Sequence, residues 1–124
     1  MEESLKELPW YDRHGKPVYR LCGTVLYDYM GKPRGFVVGR AIYDLRAQHR
    51  GFWQNRVVWD RMCRVLGYAD DARLEGLSLP PVDIPPVPYK NLPAPEPPAE
   101  AVDRACTAFI PVWSMMRLDN LLPT

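Results

Sequence analysis

Two histidines, three cysteines and no apolar run near the length of a bilayer span are all that this 124-residue chain offers for metal, disulfide or membrane chemistry. His14 and His49 fall in turn regions at non-equivalent places, without a second ligand at close spacing, so neither is assigned a metal or general-base role. Cys22, Cys63 and Cys106 are odd in number and lack C-x-x-C spacing, which supports neither a disulfide framework nor a zinc site. The expectation is three reduced thiols used as small apolar side chains. No stretch approaches the roughly 18 apolar residues of a transmembrane helix, and the acidic opening "MEESLKELPW" has no apolar segment of the signal-peptide kind. A cytoplasmic protein is expected. Charge of one sign is also scarce: the net charge is +1, with a mildly basic front (residues 1 to 73) and a mildly acidic back, too little for a dedicated nucleic-acid binder. No catalytic motif links the serines, histidines and aspartates, so no catalytic residue, cofactor or metal is assigned.

What the chain does have is a repeat. Aligned on itself at an offset of 16, it gives four units beginning at Trp10, Leu26, Ile42 and Val58. The next column reads Tyr11, Tyr27, Tyr43, Trp59, and the one after it Asp12, Asp28, Asp44, Asp60. Aromatic and β-branched residues between Gly-containing breaks, without a 3.6-residue stripe, read as two short strands per unit. In "DRHG" and "DYMG" the aspartate can accept the turn's own amides, while Gly15 and Gly31 supply a left-handed backbone. The column Gly23, Gly39, Asn55, Asp71 holds residue types that tolerate positive φ and marks a hairpin apex in every unit. Gly35, Gly51 and Gly67 stand inside strands and suggest crowding near a common axis. The first unit has Tyr19 there instead, followed by Arg20, and units three and four have Ala47 and Cys63 at the first turn's glycine position. Leu21, Val37 and Trp53, with Val25, Ala41 and Val57, are candidate core columns.

These residues, Y-D-x-x-G-K-P, G-F-x-x-G and I-Y-D at 16-residue spacing, resemble the four-fold β-flower family, small bacterial proteins of unassigned function. The repeat resemblance covers residues 10 to 76, and Trp113-Ser114 before "MMRLDNLL" is also similar to the family's tail. The resemblance implies short hairpins in approximate four-fold symmetry about an axis, and it carries no activity.

The expected fold is therefore all-β: an N-terminal extension (1–9), four 16-residue hairpin repeats (10–76), a proline-rich extended linker (77–98) and a C-terminal docking segment (99–124) with a short helix. Nine of the 14 prolines fall between Pro80 and Pro98, a composition that favours polyproline II. Apolar members such as Val82, Ile84, Val87, Tyr89 and Leu92 suggest that part of this stretch packs on the repeats. Ser114 reads as the N-cap of a two-turn helix with Met115, Leu118, Leu121 and Leu122 on one side. Too short to stand alone, it must dock, and Trp113, Leu118, Leu121 and Leu122 are the candidate docking residues.

For function, four aspartates in one column would suit a hard cation only if they faced the axis, and turn capping accounts for them without one. Arginines interleaved with aromatics offer the best candidate anion site, represented by Arg34, Arg40, Arg50, Arg56 and Trp53. The leading expectation is a non-enzymatic binding module, with a protein partner or self-association through the C-terminal segment. The alternative is a sensor or sequestering protein for an anionic metabolite or nucleotide at the repeat axis or a subunit interface.

Overall fold

In a computed structural model, residues 7–123 are described, and they form a closed antiparallel barrel wrapped by the chain's own C-terminal half. The strands are β1 (Glu7–Tyr11), β2 (Pro17–Cys22), β3 (Val25–Tyr27), β4 (Pro33–Val38), β5 (Ala41–Asp44), β6 (His49–Gln54), β7 (Val57–Trp59), β8 (Arg64–Tyr68) and β9 (Ile110–Trp113). Each of the first eight pairs antiparallel with the next, and Tyr11 of β1 meets Tyr68 of β8 to close the ring. β9 adds parallel to β8.

The repeat dictates this closure. A bulge falls at the same place in every unit, between Trp10/Tyr11, Leu26/Tyr27, Ile42/Tyr43 and Val58/Trp59. A bulge bends and twists its strand, and four at equal intervals curl a narrow sheet shut. At one end of the barrel each unit makes the same aspartate-capped turn. The Oδ1 atoms of Asp12, Asp28, Asp44 and Asp60 each accept the amides two and four residues ahead, at 2.8–3.0 Å. The aspartate column is thus turn architecture.

Units three and four keep that turn without its glycine. Ala47 and Cys63 adopt φ of 65° and 63°, the left-handed geometry of Gly15 and Gly31. A side chain at this φ costs about 1–2 kcal/mol, partly offset by the greater unfolded-state freedom of glycine. Ala47→Gly is therefore expected to stabilise the fold by about 1 kcal/mol, raising the thermal midpoint by about 4 °C in a calorimetric scan.

Inside the barrel the column Trp10, Leu26, Ile42, Val58 is buried, with Tyr19, Val37, Leu66 and the tail residues Leu118, Leu121 and Leu122. Trp10 and Trp53, from strands that are not neighbours, stack across the interior with centroids 4.8 Å apart. A second apolar cluster lies outside the barrel wall, where Phe52, Val57, Trp59 and Val65 are covered by Leu74, Leu77, Cys106 and Trp113.

The segment read as a linker is a belt. Half-buried positions recur every third residue at Val82, Pro85, Pro88, Asn91 and Ala94, the signature of a polyproline II strand with one of its three edges on a surface. Ile84, Val87, Tyr89 and Leu92, expected to pack inward in part, are exposed, and only Val82 of that group turns toward the barrel. Anchors come from every unit in turn. Tyr68 donates its hydroxyl to Pro80 O, Asp83 N–H donates to Gly15 O, and the amides of Tyr89 and Leu92 donate to Tyr29 O and Gly31 O. Tyr43 then donates to Val102 O at 2.6 Å, and Cys106 N–H reaches Gln54 Oε1 at 2.7 Å. The belt thereby completes a circuit and continues into β9.

The two-turn helix expected after Ser114 does not form. Ser114 Oγ caps a single turn through Met116 N–H, Met115 is exposed, and only Leu118–Asn120 make one 3-10 turn. A helix would aim its leucines along one face, whereas this tail spreads them to three walls of the barrel.

Candidate functional site

The three strand glycines and the three tail leucines are one device. A Cβ at Gly35 would press on the Leu122 side chain at 3.0 Å and one at Gly67 on Leu118 at 2.9 Å, while one at Gly51 would lie in ordinary contact with Leu121 at 3.6 Å. Each would also collide with a carbonyl oxygen of the neighbouring strand, of Tyr43, Trp59 and Tyr11 in that order. The remaining unit, the first, has Tyr19 instead. Its ring fills the fourth seat, and its hydroxyl accepts Leu122 N–H at 3.3 Å and donates to Asp119 O at 3.4 Å. Burial pushes the Tyr19 phenol up, so it stays a neutral donor. The axis is therefore filled from the aspartate-turn end by the chain's own C-terminal segment, docked in cis.

Around this plug the mouth carries four clefts, one beside each aspartate turn, with volumes of about 360, 270, 500 and 240 Å³. The rim column reads Val18, Arg34, Arg50, Leu66. Arg34 reaches Asp28 Oδ2 at 3.2 Å through Nη1 and Leu122 O at 2.5 Å through Nη2. Arg50 makes the equivalent pair with Asp44 Oδ2 at 3.3 Å through Nε, near enough to attract but not aligned as a hydrogen bond.

The candidate ligand residues do not gather at one place. Arg34 and Arg50 share the mouth. Arg40 and Arg56 lie at the hairpin apices of the other end, paired with Asp103 and Asp71 at 2.7 Å. Trp53 belongs to the interior stack. Of the tail residues, Leu118, Leu121 and Leu122 are buried in the plug, while Trp113 lies in β9 against the outer cluster. No group of three histidine, cysteine, aspartate or glutamate side chains converges among the described residues.

Three features went unread in the sequence. Cys63 and Cys106 are joined by a disulfide that ties the end of the belt to the fourth turn, leaving Cys22 free. The three-reduced-thiols expectation fails because an odd count and 43 residues of separation hide the pair. Arg20 lies buried beneath the belt in the column where units two to four have Phe36, Phe52 and Tyr68. There it donates to Glu7, to Asp28 O and to Asn91 Oδ1, between Tyr27 and Tyr29. Burial raises the Tyr29 phenol to about 12. His49, packed between Tyr43 and Phe52, is held below its usual 6.5 by burial and by Arg104, and is neutral at pH 7.

An eight-stranded closed meander with four equal bulges, four equal capped turns and a plugged axis is a pseudo-four-fold flower. The family described as 4-fold beta flower protein matches residues 8–122, and the chain belongs to it. Among curated proteins and among solved structures no significant match was found. No helix of the described residues is long and apolar enough to cross a membrane.

Proposed function

We propose that the protein is a non-enzymatic interaction module that displays the outer ridges of its proline-rich belt to a protein partner. One observation carries the reading: Ile84 and Val87 are 93% and 91% exposed on a backbone that is pinned every few residues to the barrel. Free apolar side chains of this size on a preordered strand form a ready contact surface, and a polyproline II strand offers it with little left to order on binding. Pro85 and Pro88, the P-x-x-P pair, face the barrel, so the recognised edges are Ile84 with Val87 and, one residue round, Tyr89 with Leu92. A partner groove lined with aromatic residues fits such a ridge. The filled axis and the dispersed arginines of the hairpin end lend the metabolite-at-the-axis reading no support.

The test is site-specific photo-crosslinking in cells with p-benzoylphenylalanine at position 87, alone and with Ile84→Ser. Ile84→Ser should leave the thermal midpoint within about 2 °C of wild type, as exposed positions do, and should abolish the crosslinked species. Adducts that persist unchanged in Ile84→Ser, or none above a control position on the barrel, would sink the reading. Adducts consisting only of a second copy would make the partner the protein itself.

A further inference from the structure

We infer that Arg50 is the anchor of an anion-binding site at the mouth of the plugged barrel, taking the carboxylate or phosphate of a small molecule whose apolar part lies along Met62, Met116 and Leu121. Internal symmetry supplies the argument. Arg34 and Arg50 occupy the same column of units two and three, and each faces the capping aspartate of its own unit. At Arg34 the guanidinium has a second acceptor, the carbonyl oxygen of Leu122, at its Nη2. The tail runs past both sites, but its Leu122 carbonyl oxygen reaches only Arg34. Among the described residues, no oxygen takes the corresponding seat at Arg50, whose side chain is 29% exposed against 13% for Arg34.

The surroundings suit an oxyanion in that seat. Two clefts, of about 270 and 500 Å³, meet at Arg50, and Arg61 lines the first while Arg46 lines the second. Asp44 and Asp60, the carboxylates beside them, each have one oxygen committed to two turn amides. Each cleft thus keeps two guanidinium groups against one carboxylate. A guanidinium whose Nε faces Asp44 still has its terminal fork for a planar or tetrahedral oxyanion. Met62, Met116 and Leu121 give the first cleft an apolar wall, and flexible thioethers adapt to varied ligand shapes. The smaller oxyanions therefore engage only half of the site.

The experiment is an NMR titration of the full chain with inorganic phosphate, acetate and hexanoate at constant ionic strength, repeated on Arg50→Met and on Arg56→Met. Arg56→Met carries the same charge change at the opposite end of the barrel. Saturable shifts confined to residues 44–50, 60–62 and 116–121 are expected, with hexanoate binding more tightly than acetate if the carboxylate form is right and phosphate the tightest if the phosphate form is. Arg50→Met should weaken binding about tenfold or more, since one charge-assisted hydrogen-bond pair is lost, with its amide spectrum otherwise retained; Arg56→Met should leave it unchanged. Absence of saturable binding by all three probes, equal loss in both variants, or retention in Arg50→Met would each overturn the proposal.

Discussion

Leu118→Ala is expected to destabilise the protein by about 3–4 kcal/mol, read as the fall in unfolding free energy from urea denaturation. Leu118 is 1% exposed, sits in the interior cluster and presses its side chain toward the bare backbone of Gly67. Truncation removes three buried carbons and leaves a hole whose walls cannot close, because the barrel is a ring of short strands fixed by four bulges. For a domain of ordinary stability this is about a fifth or more of the total. The pairing with Gly67 has a second consequence. Gly67→Ala should also destabilise, and Leu118→Ala should not rescue it, because the added Cβ meets the Tyr11 carbonyl as well as the leucine. A full rescue in the double variant would show that only the side chain limits that position. A loss below about 1 kcal/mol in Leu118→Ala would show that the tail leaves the axis readily.

The repeat was legible because each of its columns does one job. Asp12, Asp28, Asp44 and Asp60 cap identical turns, and residue types that tolerate positive φ mark the apices. Crowding at Gly35, Gly51 and Gly67 was legible too, though not what crowds them. Three glycines answering three leucines is a relation between distant segments, and spacings such as 118, 121 and 122 suit a helical face as well as a radial plug. The belt was illegible for a plainer reason. Its inward residues, Val82, Pro85, Pro88, Asn91 and Ala94, are no more apolar than the outward Ile84 and Val87, so composition cannot say which edge is covered. Departures from the repeat proved as informative as the repeat. Tyr19 and Arg20 look like decay in the first unit, yet one holds the plug's backbone and the other ties the belt to Glu7.

Reducing the Cys63–Cys106 bond is expected to cost about 4 kcal/mol, and Cys106→Ser should show the same loss. The bond joins cysteines separated by 43 positions in sequence, and loop-closure entropy of that size corresponds to about 4 kcal/mol in the unfolded chain. Its geometry makes the local effect larger than the number suggests. From Cys63 the chain runs through β8, leaves the barrel near Tyr68 and Pro80, passes units one, two and three, and returns at Cys106. The covalent loop is thus a hoop drawn around the first three units, and β9 and the leucine plug hang from its closing point. Opening it leaves the belt's far end held by Gln54, Tyr43 and the half-exposed Arg40–Asp103 pair, the last of which contributes little in water. Hydrogen exchange should therefore accelerate first at Val102, Cys106 and Ile110, then at Leu121 and Leu122, while β3 to β6 stay protected. Uniform acceleration across all eight barrel strands would mean that the hoop, barrel and plug unfold as one unit. An unchanged midpoint under reductant, with thiol counting showing the bond open, would mean that the belt needs no closure at all.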